Sequence, residues 1–144
     1  MSTESEFKFL GYRVTKIALD IKNEFFVQHE SKFNTAIDIQ QNFVEQNNRF
    51  VEVVLNIKVT DEQGNFDFIL LVRGGFEASK EMPDELFRAL ATVNAPAILY
   101  PFARAIVTTY TAQANIPPIF LPAVNFMPAP PEATKKESRP AKKE

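Results

Sequence analysis

The residues that could carry out acid–base or metal chemistry are few in this chain of 144 residues. His29 is the one histidine, and the chain has no cysteine. A catalytic base needs a partner that orients it, and a zinc site needs several nitrogen or sulfur ligands. Because the sequence offers neither, His29 is predicted to be a solvated loop residue. A turn explains the adjacent acids Asp61 and Glu62, and the first turn of a helix explains Asp84 and Glu85. The pattern favours a protein that is not an enzyme and binds no metal or cofactor.

Nucleotide and nucleic-acid binding are also poorly supported. Gly74 and Gly75 are adjacent, but neither of the glycine spacings of phosphate-binding loops surrounds them. The chain carries 16 basic and 18 acidic residues, and its 14 phenylalanines are not interleaved with lysine or arginine as a base-stacking surface requires. We therefore expect no nucleic-acid partner.

The composition also bears on location. The absence of cysteine fits a reducing compartment. The N-terminus, MSTESEFKF, has neither the basic nor the apolar region of a signal peptide. No apolar run is long enough to span a bilayer without polar interruption, so no membrane span is expected. These features fit a protein of a reducing compartment with neither a signal peptide nor a membrane span.

Residues 127–144 form a C-terminal tail of a different composition. The tail holds four prolines and almost no large apolar residue, so it cannot bury enough surface to offset the entropy of ordering and is predicted to be disordered. Its basic side chains could contact phosphates or an acidic partner, or they could simply keep the tail solvated. These side chains are Lys135, Lys136, Arg139, Lys142 and Lys143.

Alternation of apolar and polar residues predicts four β-strands, over residues 7–22, 34–46, 49–60 and 65–73. The third strand is the clearest, because every second residue from Val51 to Val59 is aliphatic. Turns are predicted at Asn47-Asn48 and at residues 61–64, and Gly74-Gly75 is predicted to end the fourth strand. Residues 23–33 break the alternation and are predicted to connect the first two strands.

Helical spacing of apolar residues follows, first from Met82 onward and then over residues 97–114, with Asn94-Ala95-Pro96 expected to bend or break the helix. Strands first and helices last predict an α+β fold, a four-stranded antiparallel meander packed with C-terminal helices. Val54, Ile69 and Leu71 make two strands apolar on both faces, which predicts a second layer from another subunit and therefore a homo-oligomer.

Two apolar segments fall outside these elements, although irregular segments are usually polar and exposed. One contains Phe25, Phe26 and Phe33, and the other covers residues 116–122. Both could close over the sheet as part of the core. Alternatively, both could line a groove that holds extended apolar polypeptide without reading its sequence.

A motif over residues 94–126 resembles the C-terminal part of the SecB export chaperones. The matching residues are Asn94, Pro96, Leu99-Tyr100-Pro101-Phe102-Ala103-Arg104, Ile116-Pro117 and Leu121-Pro122-Ala123-Val124-Asn125-Phe126. The resemblance extends more weakly to residues 51–55 and 74–76.

The resemblance implies a cytoplasmic, ATP-independent holdase chaperone, a homotetramer built as a dimer of dimers. Such a protein binds unfolded preproteins in apolar grooves and delivers them to the SecA motor. The chaperone domain would cover residues 1–126, with residues 127–144 as the tail. By position, the implied peptide-binding side chains are Phe25, Phe26, Phe33, Ile116, Ile119, Phe120, Leu121 and Phe126.

The chain also departs from the family pattern. Prolines follow Phe126 where the family has a helix, and the tail is basic. The family contacts SecA through acidic residues. The matching positions here hold Ala18 or Asp20, Lys22 and Leu70, so the acidic patch is largely absent. A SecB-like chaperone dedicated to one client, such as an antitoxin, therefore stays open. So does a structural or adaptor domain with no general chaperone activity.

Overall fold

The structure is a computed structural model that describes residues 6–22, 32–45 and 48–127. Four strands, β1 (Lys8–Ile21), β2 (Phe33–Glu45), β3 (Arg49–Asp61) and β4 (Phe66–Ala78), form one antiparallel sheet. A helical rod follows, made of α1 (Asp84–Ala89), a π-helical turn (Leu90–Asn94) and α2 (Ala95–Gln113). The predicted α+β class, with strands first and helix last, is confirmed.

The strand order is β1-β4-β3-β2, so only β2, β3 and β4 form a meander, whereas the predicted four-stranded meander would have paired β1 with β2. Asp61 closes the turn between β3 and β4, because its Oδ1 atom accepts backbone N–H bonds from Asn65 at 2.8 Å and Phe66 at 3.1 Å. The connection from β1 to β2 is much longer than a hairpin turn. The two strands that it joins lie three inter-strand spacings apart, at about 4.8 Å each, on opposite edges of the sheet.

The core lies between the helical rod and one face of the sheet, which we call the inner face. Alternate residues of β3 and β4 point inward, as their period of two predicts. The buried side chains of these strands include Val51, Val53, Leu55, Ile57, Val59, Phe66, Phe68, Leu70, Val72 and Phe76. The rod adds Phe87, Ala91, Ala95, Leu99, Ala103 and Val107 to the same core.

The prediction that Gly74-Gly75 ends β4 was wrong, because the strand continues to Ala78 and pairs there with both neighbours. Gly74 instead permits close approach of the helix. A Cβ atom at Gly74 would lie 2.8 Å from Cδ1 of Leu99, which is shorter than normal contact. The glycine is therefore explained by packing across the core rather than by a turn.

Pro96 does not break the helical rod, which absorbs it in the π-helical turn. In this turn the N–H of Ala95 donates to the carbonyl of Leu90. With the same five-residue spacing, the carbonyl of Ala91 would accept a hydrogen bond from the N–H of residue 96. Residue 96 is a proline and has no N–H. Nε2 of Gln41 on β2 donates to this carbonyl at 3.4 Å, a long hydrogen bond that ties the sheet to the rod.

The rod Asp84–Gln113 is long and apolar enough, by those measures alone, to cross a membrane. Its buried residues Ala95, Leu99, Ala103 and Val107 pack on the sheet. This packing explains the apolar residues on one face of the rod, whereas Phe102 and Tyr110 are exposed.

Candidate functional site

The chain reverses direction after α2 and runs back along it as an extended segment. We call residues 116–126 the strap. Asn115 makes the reversal with a φ of 66°, in the left-handed region that asparagine tolerates. The N–H of Ile116 donates to the carbonyl of Thr111 at 3.4 Å and closes the end of the helix. The strap therefore begins in a defined orientation.

Three hydroxyl groups of α2 hold the backbone of the strap. Thr111 Oγ1 accepts the N–H of Ile119 at 2.9 Å, and Thr108 Oγ1 donates to the carbonyl of the same residue at 2.8 Å. Further along, the Tyr100 hydroxyl donates to the carbonyl of Pro122 at 2.5 Å. An extended segment without strand partners needs such bonds, because buried backbone groups must be paired. The strap is thus positioned by side chains rather than by a β-ladder.

The surroundings of Tyr100 affect the pKa of its hydroxyl group. Burial raises the pKa of the Tyr100 phenol above its ordinary value of 10.0, and the positive charge of Arg104 opposes that rise. The Arg104 guanidinium carbon lies 5.8 Å from the centre of the Tyr100 ring. The raised pKa keeps the phenol protonated, and able to donate to Pro122, further into the alkaline range.

The predicted peptide-binding residues of the strap divide into three groups by exposure. Ile119 and Leu121 point into the core and are buried, whereas Phe120 between them is 74% exposed. Ile116 and Phe126 are half-buried against the core, and the Phe126 ring meets the edge of Tyr100 with centroids 5.6 Å apart. Buried side chains that anchor the strap therefore flank one largely exposed ring.

The remaining predicted residues lie elsewhere. Phe33 is half-buried, with its ring centre 5.1 Å from that of Phe66. It lies at the end of the sheet where the strap begins, since Tyr110 near the end of α2 packs on Phe68 at 5.6 Å. Phe25, Phe26 and the basic residues of the tail fall outside the described residues.

An apolar surface continues from the strap across the exposed side of α2. Phe120 and Arg104 border an open depression of about 380 Å³ that includes Ala105 and Thr109. The same two small residues belong to a neighbouring depression of about 310 Å³ between Phe102 and Tyr110. Phe102 and Tyr110 are 39% and 37% exposed. This surface is a candidate interaction site.

The roles of three hydroxyl residues, Tyr100, Thr108 and Thr111, were not predicted from the sequence. Their spacing of eight and three residues places them on one helical face, which is a detectable signal. Only the apolar residues of this helix were used to predict how it packs. No group of three histidine, cysteine or acidic residues that could hold a metal occurs within residues 6–22, 32–45 and 48–127.

Comparison with known proteins adds to this geometry. An uncharacterized protein of Methanocaldococcus jannaschii is 36% identical over 141 residues, which cover 91% of this chain and 88% of that protein. The protein-export protein SecB of Neorickettsia sennetsu is 30% identical over 129 residues, 81% of this chain and 79% of that protein.

The fold is also found among solved structures. A SecB-like chaperone of Mycobacterium tuberculosis, in complex with a peptide from an antitoxin, matches with a TM-score of 0.62 and 13% identity. The match covers 85% of this chain and 93% of that one. The family described as preprotein translocase subunit SecB matches residues 5–131. The resemblance noted in residues 94–126 is therefore confirmed, and the chain belongs to the SecB family.

Proposed function

We propose that this protein is an ATP-independent holdase chaperone of the cytoplasm that keeps unfolded polypeptides competent for export. Membership of the SecB family supports a chaperone role in protein export. The observation that carries the holdase mechanism is Phe120, a 74% exposed ring on a backbone fixed by hydrogen bonds from α2.

The strap suits this role because it is held in place before a client arrives. Ile119 and Leu121 anchor it from below, so presenting Phe120 costs little further ordering. Ile116 and Phe126 extend the apolar surface on either side of the ring. Contact through rings and aliphatic groups discriminates weakly between sequences, as a general holdase requires.

The connection between β1 and β2 belongs to the same proposal. Phe33, which begins β2, lies at the end of the sheet where the strap starts. We infer that Phe25 and Phe26, a few residues before it, contribute to one client-binding surface with the strap.

The partner that receives the client is a separate question. Of the positions matching the family's SecA contacts, the first is either Ala18, which is half-buried, or Asp20, which is exposed and acidic. Lys22 is basic, and Leu70 is fully buried. These charges favour a second candidate function, a chaperone dedicated to one client. The related chaperone of Mycobacterium tuberculosis was solved with an antitoxin peptide. A panel of unrelated clients separates the two, since only a general holdase protects them all.

We propose that the protein is a homotetramer, with a dimer as the smaller alternative. Ile98, Phe102 and Tyr110 are exposed on α2, and Ala105 between them allows close approach of another helix. Among the residues that the structure describes, β1 pairs only with β4, so its other edge is available. Light scattering that found a 16.3 kDa monomer at micromolar concentration would exclude this assembly.

Phe120→Ala tests the holdase proposal. We expect suppression of aggregation of an unrelated unfolded protein, measured without ATP, to weaken several-fold. The free energy of unfolding should change by less than about 0.5 kcal/mol, because the ring is exposed. Adding Phe25→Ala extends the test to the connection between β1 and β2.

Leu86→Ala is the matched control, because Leu86 is a 43% exposed apolar residue on α1, outside the strap. It should leave client holding unchanged. Unaltered holding by Phe120→Ala would refute the proposed role of the ring. A loss of about 3–5 kcal/mol in Phe120→Ala would instead show a ring buried within a fixed assembly, as in an adaptor domain. Binding of an apolar dye to the native oligomer would then be absent.

A further inference from the structure

The outer face of the sheet, turned away from the helical rod, carries a recess unrelated to the strap. Leu10, Phe50 and Gly75 form its apolar part, and Arg13 and Arg73 border it around a volume of about 430 Å³. Phe50 alternates along β3 with the buried Val51, so the two side chains occupy opposite faces. The Phe50 side of the recess therefore faces away from the strap.

Gly75 gives the recess its depth. A Cβ atom at this position would lie 3.4 Å from the Phe50 ring and 3.9 Å from Cβ of Leu10. The two neighbouring side chains therefore flank bare backbone, and Leu10 is 52% exposed. An apolar slot of this kind accepts one aliphatic or aromatic side chain.

The charges at the border are unequal. Arg73 donates to Glu52 at 3.1 Å and to Thr15 at 3.3 Å, and Asn42 also donates to Glu52, at 3.2 Å. The single carboxylate of the recess is therefore already paired. Arg13 is exposed and has no ion-pair or hydrogen-bond partner within the described parts of the chain. The recess thus combines an apolar slot with one uncompensated positive charge.

We propose that this recess binds an acidic segment of a partner protein. A carboxylate of the segment pairs with Arg13 and with the N–H groups of Arg73 that remain available, since a guanidinium carries five donors. An adjacent apolar side chain fills the slot between Leu10 and Phe50. Charge complementarity sets the class of partner, because a basic segment would leave Arg13 repelled and unpaired.

The recess is also distant from the positions that match the family's SecA contacts. Asp20 and Lys22 lie toward the other end of β1 and its connection. The rise per residue in a strand places Asp20 about 23 Å from Arg13 along the chain.

The test uses the full-length protein and a short fluorescent peptide in which Asp and Glu alternate with Leu and Phe. Fluorescence anisotropy should show binding that weakens as salt is raised. Arg13→Glu should raise the Kd about tenfold or more, since it replaces attraction by repulsion. Lys58→Glu, an equal charge change at an exposed outer-face site, is the control and should change the Kd less than about twofold.

Gly75→Ala provides a second, uncharged variant. Its Cβ would sit at ordinary contact distance from Phe50, so the fold accommodates it while the slot becomes shallower. It should weaken peptide binding several-fold and leave the salt dependence unchanged. A peptide with Lys in place of Asp and Glu should not bind.

Several results would overturn the proposal. Equal binding by Arg13→Glu and the wild type, or equal binding of the lysine peptide, would remove the role of charge. No peptide binding at any protein concentration would indicate a recess covered by a second copy of the chain. Anionic vesicles that lose binding equally with Arg13→Glu and Lys58→Glu would indicate a lipid surface instead. Client holding should be normal in Arg13→Glu, so failure here and failure of the holdase proposal are distinguishable.

Discussion

Thr111→Val tests how the strap is held. Valine has nearly the shape of threonine, so the packing of this fully buried side chain is kept while its oxygen is removed. Two roles of the hydroxyl disappear: donation, shared between the carbonyls of Val107 at 2.8 Å and Thr108 at 3.2 Å, and acceptance of the Ile119 N–H at 2.9 Å. The second loss matters more, because it leaves a buried N–H without an acceptor.

The magnitude follows from that orphaned donor. An unsatisfied buried N–H costs about 1–3 kcal/mol, so Thr111→Val should lower the free energy of unfolding by that amount. Thr92→Val is the matched control. Thr92 makes the same bond to the carbonyl four residues earlier, to Arg88 at 2.8 Å, but it is exposed and holds no strap residue. Its replacement should cost less than about 0.5 kcal/mol.

Urea unfolding at one fixed protomer concentration measures both variants, because an oligomer's stability depends on concentration. Hydrogen exchange at the Ile119 amide should accelerate in Thr111→Val and stay unchanged in Thr92→Val. Equal stability of the two variants would refute the reasoning, since Ile119 would then have found another partner. A destabilised Thr111→Val with normal client holding would show that the strap need not be fixed to work.

The other predictions concern the core, alkaline pH and the tail. Gly74→Ala should destabilise by about 1–3 kcal/mol in thermal unfolding, because its Cβ would lie 2.8 Å from Leu99, whereas Gly75→Ala should cost less. Because the pKa of Tyr100 is raised in the native state, its contribution to stability is complete below pH 10.0 and is lost as pH rises through the native pKa. Wild type should therefore lose more stability than Tyr100→Phe in alkaline unfolding, and equal losses would contradict this. Deletion of residues 128–144 should weaken affinity for an acidic partner such as the translocation motor or anionic lipid several-fold at low salt, and less at high salt. The deletion should spare folding and client holding, and loss of either would make the tail structural.

The strands were predictable because their signal is local. Apolar side chains at every second residue of β3 and β4 can face only one side, and the structure buries those residues. The end of β4 was not predictable in this way. Adjacent glycines are typical of a turn, but glycine is needed at residue 74 because Leu99 packs closely against it. That contact forms only after the helix has packed on the sheet.

In the candidate site, too, local features were predictable and features that depend on distant contacts were not. The apolar strap was evident from residues 116–122, and the exposure of Phe120 beside the burial of Leu121 follows from the alternation of an extended chain. Which face of the strap turns inward was not evident. That choice is made by Thr108, Thr111 and Tyr100, whose partners lie many residues away.

The bond from Gln41 to the carbonyl of Ala91 has a consequence for how this sequence can change. Proline at residue 96 removes the donor that the π-helical register would supply, and Gln41 replaces it from another strand. Gln41→Leu should therefore be costly only while residue 96 is proline, and Pro96→Ala should relieve the cost. The two positions are expected to be epistatic, and a lineage that loses the proline is then free to lose the glutamine.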